Sequence, residues 1–458
     1  MLAAANPTPL PGPKSRISEL FEFRRRPLAR LTELHRAYGD TVGFKLGQKQ
    51  VVLLAGPEGV ARVLVENHRN YEKQSLGYQK LRLALGEGLL TSDGDFWRRQ
   101  RRIAQPAFHR DRLMNLGSHM TESTVKMLNE WDSAPSHVDV AKQMMTLTLD
   151  IIGRTMFSRP MSEFATDVGQ VMDVALHYLD ERMNSLTAPL SFVERLPLPS
   201  NRRFRAAMRD ADQMMVNLIA ERRGSAKDPG DLLSMLLDMK DEETGETMTD
   251  RQLRDEMMTM IAAGHETTAN ALTWTFYLLS QHPDAGERLR RELETQLAGR
   301  VPSVSDLPKL TFLTSVIKES MRLYPPAWII SRNAVEADPV VQIPKGAIVI
   351  VSPYVTHRSA RHWMAPERFD PDRFSAERAS SIPKHAYFPF GGGPRQCIGV
   401  GFAMMEAQLL LATIAQRYAF ELEPGHKIEL DPSITLRPKG GMPMKRIRLP
   451  SRELRSVG

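Results

Sequence analysis

From Thr249 to Gln281 the chain runs without a proline, and Thr249-Asp250-Arg251-Gln252 carries the Thr-x-x-Gln pattern of a capping box at its start. The next proline is Pro283, directly after Gln281-His282. This run predicts a helix of about thirty residues, about 45 Å long at 1.5 Å per residue, enough to cross an entire compact domain. The rest of the fold has to pack around that rod. Its middle, Ala262-Ala263-Gly264-His265-Glu266-Thr267-Thr268, is mostly small and apolar before Glu266. A buried helix carrying one acid calls for a chemical explanation.

Around this helix the periodicity sorts into a mainly α chain with small β-sheets, an α+β class in one domain over 1–458. A Pro-rich leader and a first helix, Leu28 to Tyr38, fill residues 1–40. A small β region takes 41–56, with strands Val42 to Leu46 and Val51 to Ala55 bounded by Gly39, Gly47 and Gly56, and returns at 340–351 as Val340 to Ile343 and Ala347 to Val351. The helical core covers 57–330 and 399–417. Leu310 to Tyr324 reads as a helix with Phe312, Leu313, Val316, Ile317, Ser320 and Met321 on one face, stopped by Pro325-Pro326. On it Glu319 and Arg322 stand at i, i+3 and project to the same side. An irregular, Pro-rich stretch from Pro353 to Pro389 precedes the last helix.

The 458 residues, 42% apolar and 25% charged, exclude a disordered or fibrous chain. The net charge of +7 from 61 basic and 54 acidic residues is small, and acids and bases alternate along most of the chain, so no nucleic-acid module is expected. Pro7, Pro9, Pro11 and Pro13 break the stretch where a signal peptide needs its apolar core, and no window of about 18 apolar residues follows, so no membrane anchor is expected. The single cysteine, Cys397, rules out an intrachain disulfide and suits a reducing compartment.

Cys397 lies in Phe390-Gly391-Gly392-Gly393-Pro394-Arg395-Gln396-Cys397-Ile398-Gly399. Glycines let backbone approach a bulky group, and a thiol ahead of a helix N-terminus is biased toward thiolate, the form that ligates metal. Taken alone, such a cysteine is more often an inert thiol beside a structural turn. The decapeptide reverses that reading, because Phe390-x-x-Gly393-x-Arg395-x-Cys397-x-Gly399 resembles the haem-binding signature of the cytochrome P450 family of haem-thiolate monooxygenases. Four further segments resemble that family's motifs: Trp97-x-x-x-Arg101, Ala263-Gly264-His265-Glu266-Thr267, Glu319-Ser320-Met321-Arg322 and Pro366-Glu367-Arg368-Phe369.

The resemblance implies a haem b held between the long helix and the Cys397 loop, with Cys397 as the axial ligand and one face left for O2. Thiolate donation to such an iron favours O–O cleavage. By their motif positions Trp97, Arg101, Arg332 and Arg395 resemble the partners of the haem propionates, Phe390 is implied to pack beside the sulfur, and Gly391 is implied to belong to the cofactor-binding set. In the basic cluster Trp97 to Arg102, Arg98, Arg99 and Arg102 read as a solvated face. Glu266 and Thr267 match the pair that delivers protons where water is otherwise excluded. Glu319, Arg322 and Arg368 match a buried structural ion network. His265-Glu266 does not open a zinc-hydrolase motif, because the second histidine would have to stand at position 269, which is Ala.

A substrate cavity is implied over the haem's distal face. Its lining would come from the loop near Leu81 to Leu90, helices in 160–220, Ala263, Ala327, Ile329 and Met442, which are mainly apolar and predict a lipophilic small molecule. Fatty acid, terpenoid, steroid and polyketide all suit it, for hydroxylation or epoxidation. The chain has no room for a fused reductase, so electrons are expected from NAD(P)H through a separate ferredoxin reductase and a ferredoxin docking by charge on the Cys397 side. The resemblance further implies a cytoplasmic bacterial enzyme. A haem-thiolate sensor or carrier, which has no use for the Glu266–Thr267 pair, and a peroxide-driven peroxygenase, which would not need it, are the alternatives.

Overall fold

Thr249 caps the long helix as its sequence predicts. The Gln252 N–H donates to Thr249 Oγ1 at 3.3 Å, the Thr249 N–H donates to Gln252 Oε1 at 2.8 Å, and the helix runs Asp250–Gln281 over 32 residues. In the computed structural model residues 10–14, 17–163, 168–185, 187–225 and 229–450 are described; Pro7 and Pro9 of the leader lie outside them. Helices dominate and the sheets are small, an α+β architecture. Two units are distinguishable, each compact by itself.

The first draws on Met1–Gln79, Arg322–Arg368 and Ala376–Cys397. It holds a five-stranded sheet in the order Thr41–Leu46, Lys49–Leu54, Ile348–Val351, Ile330–Ala334, Tyr71–Glu72. The first two strands form the expected hairpin, Phe44 opposite Val51, with Gly47 at φ 61 in its tight turn. Lys49–Leu54 pairs in parallel with Ile348–Val351, and both read as near-continuous Val/Ile/Leu runs because both faces are covered. Val52, Leu54, Leu64, Val349, Val351 and Phe388 share one buried cluster beneath it.

Val340 to Ile343 is a turn and not the strand that its apolar run predicts. Asp338 and Ile343 close it as an isolated bridge, with Gln342 at φ 56. The cause is Asp338, 1% exposed, which accepts hydrogen bonds from Arg62 Nε (2.9 Å), Asn67 Nδ2 (2.7 Å) and Tyr71 Oη (2.8 Å). A buried carboxylate satisfied by three donors fixes the local path more firmly than β-propensity does.

The second unit draws on Lys80–Met321, Phe369–Ser375 and Ile398–Gly458. Here the long helix packs along the helix Val140–Phe157. Gly264 allows the approach, since a Cβ there would lie 2.8 Å from Ile152 Cδ1, and Thr148 Oγ1 donates to the His265 carbonyl at 3.0 Å. The helix Val400–Ala415, buried along most of its length, also packs on it. Pro443–Arg448 pairs with His137–Asp139 on one side and Tyr418–Leu422 on the other. A hairpin of Leu430–Pro432 and Leu436–Pro438 docks on the long helix through Trp274 Nε1, which donates to the Leu436 carbonyl at 3.0 Å. No described helix is long and apolar enough to cross a membrane.

Candidate functional site

The cysteine turn is assembled from its own backbone. The Cys397 N–H donates to the Phe390 carbonyl at 3.0 Å, the Gln396 N–H to Gly393 at 3.0 Å and the Gly391 N–H to Phe388 at 2.9 Å. Two of its three glycines are required by geometry. Gly391 and Gly393 sit at φ 71 and 65, and a Cβ on Gly393 would lie 1.9 Å from the Leu64 carbonyl oxygen. Gly392 is extended, at φ −164, and a Cβ there would meet Leu64 Cδ1 at an ordinary 3.7 Å. Gly393→Ala is therefore expected to displace the turn and abolish haem retention, while Gly392→Ala keeps it. Equal haem content in the two purified variants would contradict this.

The thiol of Cys397 is exposed, three residues ahead of the first residue of the Val400–Ala415 helix. A lone exposed thiol on a turn braced this way suits an axial sulfur, so the residues fit a haem-thiolate centre. Phe390, Gly391 and Arg395 are all half-buried on this turn, and Ile330 Cδ1 stands 3.8 Å from where a Gly391 Cβ would lie. In the same unit Arg332, 6% exposed, donates from Nη1 to Tyr78 Oη at 3.0 Å and to the Ser331 carbonyl at 2.8 Å.

A continuous hydrogen-bond path in the first unit ends at that turn. Arg322, fully buried, donates from Nη1 to the carbonyls of His357 (2.8 Å) and Pro366 (2.6 Å) and from Nη2 to the Arg368 carbonyl (3.0 Å). His357 Nε2 accepts from the Phe388 N–H at 3.0 Å, Phe388 accepts from Gly391, and Phe390 accepts from Cys397. One guanidinium thus holds the irregular 357–368 segment, and that segment holds the cysteine turn.

The third ionic member expected at Arg368 is elsewhere. The Arg368 residue is exposed and Arg322 binds its carbonyl, whereas Arg373, 6% exposed, pairs with Glu319 through Nε at 3.3 Å. Glu319, itself fully buried, also accepts the Asp370 N–H at 2.9 Å. Arg373 sits in the turn Pro371–Phe374, where its N–H donates to the Asp370 carbonyl at 3.2 Å and its side chain is buried; Arg368 precedes that turn and is exposed.

In the second unit, Trp97 is buried and Arg101 half-buried on the helix Gly94–Ala104. Between them Gln100 is fully buried with no hydrogen-bond partner on either amide atom, a feature with no marker in the sequence. Of the neighbouring arginines Arg98 is exposed, as a solvated face requires, while Arg99 and Arg102 are half-buried, and all three carry ion pairs. Arg98 pairs with Asp95, Arg99 pairs with Glu246, and Arg102 grips Asp241 at 2.9 and 3.0 Å, pulling that carboxyl down to about 2.

Along the long helix, Ala262, Ala263, Gly264 and Thr267 keep exposure while Ile261, His265, Glu266 and Thr268 are buried. That opens one face at the centre of an otherwise packed helix. Thr267 Oγ1 donates its proton to the Ala263 carbonyl at 2.7 Å, so its lone pairs are what it offers outward. Glu266, 2% exposed, turns the other way and accepts from Thr435 Oγ1 at 2.6 Å. Thr268 is directed at Glu406 of the Val400–Ala415 helix, a fully buried carboxyl with neither oxygen in hydrogen-bond geometry, which burial pushes up to about 8 against the smaller opposing pull of the Thr268 hydroxyl.

Of the expected cavity residues, Ala327 is exposed and Ile329 half-buried, in the first unit. Met442 is fully buried, with its N–H on Asp139 Oδ1 at 2.9 Å and its carbonyl on the Val140 N–H at 2.9 Å, so it anchors a sheet edge and lines no open surface. Ile434, beside Thr435 in the hairpin, is half-buried. Among the described residues no group of three or more His, Cys, Asp and Glu is placed to hold a metal ion.

Residues 7–445 match the profile of the Cytochrome P450 family. Among curated proteins the chain is 38% identical to a cyclooctatin synthase of Streptomyces melanosporofaciens over 415 residues, 90% of this chain and 89% of that one. It is 36% identical to that organism's cyclooctat-9-en-7-ol 5-monooxygenase (91% and 90% covered) and 35% identical to a pentalenene oxygenase of Streptomyces avermitilis (90% and 91%). The crystal structure of the cytochrome P450DA haem domain superposes with a TM-score of 0.87 at 27% identity, covering 97% of this chain and 99% of that one.

Proposed function

The chain belongs to the cytochrome P450 family and is a monooxygenase that uses haem iron, O2 and a redox partner, and from that premise we propose that it hydroxylates or epoxidises a terpenoid. The observation that carries this is the open face at Ala263, Gly264 and Thr267, a gap at the centre of a buried helix with no charged side chain on it. Such a surface binds by shape and apolar burial. Of the four lipophilic classes, terpenoid is preferred because two similar proteins are named as oxygenases of cyclooctat-9-en-7-ol and pentalenene.

Haem b is the porphyrin we assign, since one cysteine leaves no Cys-x-x-Cys-His for covalent attachment. Cys397 would hold it, with Trp97, Arg101, Arg332 and Arg395 toward its propionates. When bound, it supplies the iron at which dioxygen is reduced and split with thiolate donation. Thr267 presents a fixed acceptor to the open face, and Glu266 is the acid next to it in sequence from which protons are supplied. Electrons come from a ferredoxin and an NAD(P)H-dependent ferredoxin reductase, in a cytoplasm where a lone thiol stays reduced.

Thr267→Val is expected to lower product formed per electron pair about tenfold or more, with the balance appearing as hydrogen peroxide and substrate affinity unchanged. Coupling equal to that of the parent would overturn the assignment of Thr267, and absence of product from the parent itself would favour a sensor or a peroxide-driven enzyme. In a ligand screen, a polycyclic terpenoid is expected to displace the haem absorption band; a fatty acid doing so at lower concentration would contradict the substrate class.

A further inference from the structure

Glu266, Asn270 and Trp274 stand at i, i+4 and i+8 on the long helix, so they form one stripe, and all three reach the Leu430–Pro438 hairpin. Asn270 Nδ2 donates to Thr435 Oγ1 at 3.0 Å, and Thr435 Oγ1 donates to Glu266 Oε1 at 2.6 Å. A hydroxyl has one proton; with Asn270 supplying a donor to its oxygen, that proton is left for the carboxylate. The three side chains are 3%, 6% and 2% exposed, so water does not substitute for the contact. Thr267, one residue on and about 100° around the helix, opens on a different face.

The hairpin is tied down from outside and braced across its own strands. Ser433 Oγ donates to Asp180 Oδ1 at 2.7 Å, Arg437 Nε pairs with Asp431 at 2.7 Å, and Arg437 also feels the charges of Glu266 and Asp180. The hairpin that holds Glu266 is thus itself held at Ser433 and Arg437, by the half-buried residues Asp180 and Asp431.

We propose that Thr435 is a positioning residue for Glu266: steadied by Asn270, its hydroxyl latches the carboxylate to the hairpin, away from the Thr267 face, so that proton supply to that face follows opening of the hairpin contact. Thr435 is thereby a control on the reaction and not a reacting group. The proposal rests on the reading of Glu266 as the proton carrier.

Two readouts test it, one of them without turnover. In the resting protein, the infrared carboxylate band that Glu266→Gln removes is expected to be displaced in Thr435→Val and Asn270→Ala, and to stay in place in Thr435→Ser. During turnover, Thr435→Val is expected to raise the hydrogen peroxide released per electron pair by about threefold or more, with KM unchanged, and Thr435→Ser to restore the parent value. A band unmoved in Thr435→Val overturns the latch, whatever the turnover result. A displaced band together with full coupling in Glu266→Gln supports the latch and defeats the proton-carrier reading instead. Should Thr435→Val fail to fold, Asn270→Ala carries the same test, and an unmoved band there likewise overturns it.

Discussion

Arg322→Ala leaves the folded chain about 3–5 kcal/mol less stable and unable to retain haem, the largest loss expected of a single substitution outside Cys397. Removing the guanidinium takes its donors away from three carbonyls, those of His357, Pro366 and Arg368, in a segment with little regular structure of its own. It also leaves the path through His357 and Phe388 to Gly391 without its anchor. Arg322→Lys should fare little better, because an ammonium cannot present the fixed fork that meets three carbonyls at 2.6–3.0 Å. Arg373→Ala should lose stability as well, by removing a buried cation from the buried Glu319 carboxylate, whereas Arg368→Ala should be near neutral. Haem content and apparent melting temperature of the four variants check the set; equal losses in Arg373→Ala and Arg368→Ala would contradict the placement of the ion pair.

Glu406→Gln stabilises the protein, and by more as pH rises. The folded state holds the Glu406 carboxyl up at about 8, whereas the unfolded chain titrates near its ordinary 4.5. Between these values the folded protein keeps a proton that the unfolded chain releases, so stability falls as pH increases through that window. Below about 4.5 both states are protonated and the group is neutral in its effect. The amide carries no charge at any of these pH values. Its own packing cost is the same across the series, so the pH-dependent part isolates the carboxyl. The gain of Glu406→Gln over the parent from pH 5 to pH 8 is expected to reach about 2–4 kcal/mol. Parallel stability curves for the two proteins over that range would show that Glu406 is not held neutral by burial.

What could be read from the sequence was what is local. The capping box and the long proline-free run give the central helix to within a residue at each end, whereas which of the three glycines the cysteine turn requires is visible only in its backbone angles. Pairings between distant segments could not be read. Thr435 meets Glu266 across 169 residues, Arg102 meets Asp241 across 139 and Arg373 meets Glu319 across 54, and in each case many equally suitable side chains lie between. Arg368 was the arginine suggested by a motif, but the chain turns inward only after it, so the ion pair falls to Arg373. Met442 illustrates the same limit, since an apolar residue beside two glycines reads as a lining residue until its backbone is found locked to Asp139 and Val140. Apolar character specifies burial and leaves open which surface is covered.

Every role assigned above depends on Cys397 holding the haem iron through its deprotonated sulfur. The most direct measurement is the carbon-monoxide difference spectrum of the reduced protein beside its Cys397→Ser variant, both reconstituted with haem. The red-shifted band of a thiolate-ligated haem is expected in the parent, and its loss in the variant. A colourless parent, or an unchanged band after the sulfur is removed, would contradict it.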